Sequence, residues 1–247
     1  MIIKLKYFTV SLLSFFMLTF LSCDDGRIYE EDYLPDTSGK VMKLTANISG
    51  MDSWARGYSL VLAGFDKNMD YAVITKPVPF PKDEKGEVEL IMSGIPQEVT
   101  TLHLCVVNRQ RELVHSYAEM PCGANEKDTI RMEGVKKDVN MYDAVQAEVF
   151  SDDEYGCTKC HGGRESLAGG INLLEGKSYK YLMNKQSNVA GKDTLIVNPN
   201  NADASTLYLI LGTEFGKHLK YDHSNILINS YADISLIKDW INNGAKD

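Results

Sequence analysis

Cys157-Thr158-Lys159-Cys160-His161 sets two thiols three residues apart and an imidazole directly behind the second. That is the attachment pattern for c-type haem. The two thiols add across the haem vinyl groups and fix the ring. The histidine, locked to the second cysteine, brings its imidazole under the iron as proximal ligand. Three rival chemistries fit less well. A thioredoxin-like CxxC follows a strand and opens a helix, whereas this motif follows a helical pattern and runs into Gly162-Gly163. Zinc is the better rival, through Cys157, Cys160, His218 and His223. The gap between those pairs is long, however, and zinc leaves His161 unused. A Cys157–Cys160 disulfide would close a strained ring with no evident purpose.

The elements that position this motif are helical. Met141, Val145 and Val149 recur at helical spacing, with Asn140 and Asp143 as an N-terminal cap. Ser178 precedes a face of Tyr179, Leu182 and Met183, and Ser205 precedes Leu207, Ile210 and Leu211. Ser230 with Asp233 opens a last helix that turns Ile234, Ile237, Trp240 and Ile241 inward and stops at Gly244. Four helices around one motif predict an all-α haem domain over 140–247. Ahead of it, over 41–136, the period is two. Met42, Leu44, Ala46 and Ile48 alternate with more polar residues, and short runs recur at 58–63, 71–75, 87–92, 101–107, 113–118 and 129–132. Turn residues separate them, which predicts an immunoglobulin-like β-sandwich. His103 and His115 stand in this half as a candidate metal pair or as ordinary strand residues, the reading we favour. Trp54 and the tyrosines read as packing groups.

At the N-terminus Lys4 and Lys6 precede an apolar run over 7–21, the pattern of a signal peptide over 1–22. The run is shorter than the roughly 20 residues a membrane span needs. It ends at Phe20-Leu21-Ser22-Cys23, which is similar to a bacterial lipobox with Cys23 as the lipidated residue; the alternative is an ordinary signal peptide. Lipid chains anchor a protein to a membrane without spanning it. The acid-rich stretch 23–40 then reads as a tether. The expected location is the outer membrane, on its periplasmic or cell-surface face. Export implies an oxidising compartment, where Cys105 and Cys122 form a candidate disulfide, the alternative being two buried thiols. The 247 residues are 44% hydrophobic and carry a net charge of −8, with a pI near 5.2. Two domains fit that length. No basic stripe is present, which argues against a nucleic-acid partner.

Further motifs flank the haem pattern. Cys157–His161 continues into Gly162-Gly163, and Ala168-Gly169-Gly170-Ile171-Asn172-Leu173 follows. Val197-Asn198-Pro199-Asn200-Asn201 leads to Ser205-Thr206-Leu207-Tyr208, and the chain closes on Asp239-Trp240-Ile241-Asn242-Asn243-Gly244-Ala245. Over 145–245, about two fifths of the chain, this resembles the cytochrome c domains of the planctomycete-type group, found also in Bacteroidetes lipoproteins. The resemblance implies one covalently attached haem c and a distal methionine from a Met-Pro dipeptide ahead of the closing helix. No Met-Pro stands between the haem motif and the closing helix; the chain's Met120-Pro121 lies ahead of the motif, in the β half. Met183, the only methionine behind the motif, reads as a packing residue on its helix. The expected distal segment instead holds Gly216-Lys217-His218-Leu219-Lys220-Tyr221-Asp222-His223-Ser224. His223 best matches the methionine position by its distance to Trp240, with His218 next and Met183 or no ligand behind. Asp222 is a candidate to orient the His223 ring, and Arg164, Lys159 and Lys217 are candidates to neutralise haem propionates.

Two imidazoles lower a haem potential relative to thioether ligation. The expectation is therefore an exported, lipid-anchored monohaem cytochrome that passes single electrons to redox partner proteins. It turns over no substrate, with peroxidase-like activity only if the distal position is open. The competing class is a surface lipoprotein whose sandwich binds a glycan or protein. Its C-terminal part would then be a structural or degenerate haem, or zinc, module.

Overall fold

Alternation of apolar and polar side chains builds the N-terminal half. Met42, Leu44, Ala46 and Ile48 all point into the core from the first strand, as period-two patterning requires. The computed structural model describes residues 39–82, 85–123, 129–163, 167–191, 193–227 and 229–247. The signal-peptide run, Cys23, nearly all of the acidic tether and Arg164 lie outside them. Among the described residues the strands are β1 (Lys40–Ser49), β2 (Ser59–Phe65), β3 (Ala72–Pro77), β4 (Glu87–Ile95), β5 (Thr101–Val107), β6 (Leu113–Pro121) and β7 (Ile130–Asp138). They form a three-stranded sheet, β4-β1-β7, and a four-stranded sheet, β3-β2-β5-β6. The core lies between the sheets, built on Leu60, Leu62, Leu102, Leu104 and Val106 from one and the β1 face from the other. Central strands β2 and β5 bury their outer faces as well, through Val61, Ala63, Phe65, Cys105 and Val107. Their sequences therefore read as nearly unbroken apolar runs.

The expected fold class needs correction on two counts. An immunoglobulin sandwich is built of antiparallel sheets, yet β1 and β7 pair in parallel, Met42 opposite Ile130 and Ile48 opposite Lys137. Among the described residues behind β7 there are only short helices, not an all-α cytochrome c domain. The helices are α1 (Met141–Val145), α2 (Cys157–His161), α3 (Ser178–Leu182), α4 (Thr206–Gly212) and α5 (Tyr231–Asn242), of which only the last reaches 12 residues. The apolar spacing is genuine but brief. Helices this short hold only by packing, and Gly162-Gly163, Gly169-Gly170 and Asn198-Pro199-Asn200 break the pattern between them. The helix predicted from Asn140 becomes a π-turn at Gln146–Phe150 and ends before the haem motif. A second core gathers Tyr142, Val145, Val149, Phe150, Leu182, Leu211, Ile237, Trp240 and Ile241. The two halves are joined by hydrogen bonds: Met141 N–H to Ser53 Oγ (2.8 Å), Tyr117 Oη–H to the Asn140 carbonyl (2.9 Å) and Tyr58 Oη–H to Asp239 (3.0 Å). The described residues all belong to one compact unit.

Candidate haem-binding site

Gly156 turns the chain into the motif. Its φ of 64° lies in the left-handed region that glycine enters without strain. The turn is fixed from both sides: Gly156 N–H donates to the Asp152 carbonyl at 3.0 Å, and Leu173 N–H to the His161 carbonyl at 2.7 Å. Just ahead of the motif, Tyr155 Oη–H donates to Asp233 Oδ2 at 2.5 Å. Burial, then that bond, push the Tyr155 phenol up to about 12. The same Asp233 oxygen accepts from Ser230 Oγ at 2.5 Å, so the cap of α5 holds the approach to the motif. Cys160 is exposed and Cys157 half-buried. Burial, above all, raises the Cys157 thiol pKa.

His161 and His223 come together. Their ring centroids are 6.3 Å apart with the planes 49° from each other. Two imidazoles bonded to one metal through roughly 2 Å bonds place their centroids about 6 Å apart. Burial, the largest influence, lowers the His161 pKa; the Ala168 backbone raises it, the His223 ring lowers it and the Ile171 backbone raises it. A depressed pKa favours the neutral imidazole, the form that binds metal. Although those two backbones lie close, Nδ1 of His161 is buried without a hydrogen bond of full geometry. On the facing side, Nδ1 of His223 meets the Tyr221 carbonyl at 2.7 Å. A carbonyl only accepts, so this bond puts the His223 proton on Nδ1 and leaves the Nε2 lone pair free. Metal-bound histidines characteristically hold the second nitrogen this way. The ring spacing and the tautomer of His223 are compatible with a metal ion between the rings, and Cys157 and Cys160 stand on the same short helix as His161.

The other candidates are not brought to this point. His218 is exposed at the end of the 3₁₀ turn Glu214–His218. Met183 ends α3, bridges to Val197 and packs on the C-terminal core, as its place on the helical face predicts. Among the described residues no group of three or more His, Cys, Asp or Glu side chains is arranged to hold a metal ion, so the zinc set is not assembled. Asp222 does not orient His223; its Oδ1 accepts from Ser224 N–H at 2.8 Å and Ser224 Oγ at 2.7 Å. Lys217 pairs with Glu214, and Lys159 donates to the Asp153 carbonyl. Cys105 and Cys122 are both free: the first lies in the outer-face cluster of the four-stranded sheet and the second in the core between the sheets. His103 and His115 also part company. His103 meets Ser116 at 2.8 Å, whereas His115 meets Glu148 at 2.6 Å, across the junction of the halves.

A cleft of about 570 Å³, lined by Thr213, Lys217, Ser224, Tyr231 and Ile234 among others, contains neither His161 nor His223 and neither motif cysteine. The facing rings define the site better than this opening does. Sequence reasoning missed the Tyr221 carbonyl and the Tyr155–Asp233 bond. Neither leaves a side-chain signal, since one is a backbone group and the other joins residues far apart in the chain. No known protein family and no curated protein matches the chain. No helix of the described residues is long and apolar enough to cross a membrane.

Proposed function

We propose that the protein is an electron carrier holding one haem c, with Cys157 and Cys160 as its covalent attachments and His161 and His223 as its axial ligands. The observation that carries this reading is the 6.3 Å spacing of the two imidazoles beside the paired cysteines. Haem c, when bound, supplies a one-electron ferric–ferrous couple. The residues of the chain determine how that couple behaves. His161, neutral and half-buried, presents one nitrogen, and His223, its proton held by Tyr221, presents the other. With both positions taken there is no open coordination site for a substrate, so electron transfer to a redox partner protein is the function and turnover is not. Two nitrogen ligands set a lower potential than a histidine–methionine pair. The carrier is a short-helix segment packed against a β-sandwich, and Cys23 anchors it to a membrane through lipid.

The test is expression with a c-haem maturation system and a pyridine haemochrome spectrum. One covalently retained haem per chain is expected; none would overturn the reading. The ferric spectrum should be low-spin without a methionine-sulfur charge-transfer band. His223→Ala should convert it to high-spin, and an unchanged low-spin spectrum in that variant would reject His223 as ligand.

A further inference from the structure

The segment that carries His223 crosses itself. Thr213 Oγ1 accepts from Phe215 N–H at 3.1 Å and donates to the Leu209 carbonyl at 2.7 Å, which starts the 3₁₀ turn Glu214–His218 off the end of α4. Gly216, buried in that turn, lies against the backbone of 223–224. His223 N–H donates to the Gly216 carbonyl at 3.3 Å. A Cβ built on Gly216 would overlap the Ile210 carbonyl oxygen and stand 2.9 Å from Ser224 N and 3.3 Å from the His223 carbonyl carbon. All three are backbone atoms, which no rotamer change can move aside. The φ of Gly216 is not among the positive ones, so closeness of approach and not backbone strain is what demands glycine here. On the other side of the crossing, Asp222 ties Ser224 N–H and Oγ, and Ile226 N–H donates to the His223 carbonyl at 3.2 Å.

We infer that Gly216 is the positioning residue for the distal ligand: the bare backbone at 216 lets the loop at 223–224 come close enough to set the His223 ring opposite His161. This rests on the proposed bis-histidine haem site and names what sets its second half. Any side chain at 216 pushes 223–224 outward, and the ring moves away from its partner while Cys157, Cys160 and His161 stay where they are. Gly212 makes the control. The three atoms a Cβ there would meet first all belong to the ring of Tyr208, the nearest at 2.9 Å, a side chain able to turn aside.

Gly216→Ala, Gly212→Ala and the unaltered full chain should be matured with haem and compared by ferric spectrum and by carbon monoxide binding to the reduced protein. In Gly216→Ala the haem stays covalently bound, a high-spin component appears, carbon monoxide binds faster, and added imidazole restores the low-spin spectrum. Gly212→Ala should match the unaltered protein. A low-spin Gly216→Ala protein with unaltered carbon monoxide kinetics overturns the inference, as does an equal change in Gly212→Ala. If Gly216→Ala yields no folded protein, Asp222→Ala, which releases Ser224 on the far side of the crossing, should speed carbon monoxide binding; unaltered kinetics there overturn it too. Failure of the haem reading is separate, since an unaltered protein lacking haem or a low-spin spectrum reveals it before any variant is made.

Discussion

At the scale of single residues, His103 shows how burial and histidine chemistry combine outside the site. It is fully buried in the four-stranded sheet, its ring edge-on to Phe65 at 5.0 Å, and its Nε2 lacks a partner. Burial, the larger influence, lowers its pKa, while Glu119 raises it. The folded state therefore binds fewer protons than the unfolded one below the unfolded value near 6.5. The sign follows: this histidine's stability contribution is complete above about pH 6.5 and is lost as pH falls toward the lowered folded value. Denaturant midpoints measured from pH 7.5 down to 5 should fall, and His103→Asn should flatten that slope. An equally steep slope in the variant would place the acid sensitivity elsewhere. Cys105 belongs to the same buried face, and burial pushes its thiol up to about 12. It is a buried packing group whose raised pKa keeps it in the unreactive thiol form.

At the scale of elements, α5 is the piece that most depends on one side chain. Trp240 is 1% exposed and lies 4.9 Å from the Tyr142 ring of α1. Its Nε1–H donates to the Lys246 carbonyl at 2.8 Å, which folds the last residues back over the helix. Trp240→Ala removes a large buried ring and leaves a cavity, at a cost of about 3–5 kcal/mol. Thermal denaturation should show a correspondingly large drop in Tm; a drop no greater than a surface substitution gives would mean that the site collapses around the loss. The same element shows what a sequence reveals. Ser230, Asp233, the inward Ile237–Trp240–Ile241 set and the stop near Gly244 were all legible, because caps and periodicity act locally. The seven strands were legible for that reason too. The parallel partner of β1 was not, because the strand that pairs in parallel lies at the far end of the sandwich. The brevity of α1–α4 was hidden as well, since apolar spacing over five residues looks the same whether or not a helix continues. In the candidate site, residue types singled out Cys157, Cys160, His161 and His223 as candidates. The Gly216 crossing involves only backbone atoms, which leave no pattern to read.

At the scale of the whole molecule, the sandwich and the short-helix segment behind it stand or fall together. Ser53, Trp54 and Tyr58, just ahead of β2, reach Val139, Met141, Asp239 and Asn243. Burial, then the charge of and bond to Asp239, raise the Tyr58 pKa. Tyr58→Phe leaves that carboxylate without its donor, costing about 1–3 kcal/mol. Unfolding followed by circular dichroism and by the fluorescence of Trp54 and Trp240 should give one coincident transition, shifted as a whole by Tyr58→Phe. Two separated transitions would show that the halves unfold independently. The parallel pairing of β1 with β7 also has a kinetic side. The first strand of the fold is the centre of its sheet, flanked by β4 and by the last strand. A chain that emerges from its N-terminus cannot complete this sheet strand by strand. Lys40–Ser49 must wait with an open edge until Ile130–Asp138 has followed. Such long-range closure is slow and exposed to aggregation, so the vulnerable interval in the life of this protein falls during its emergence, before the cysteines of the haem motif have appeared.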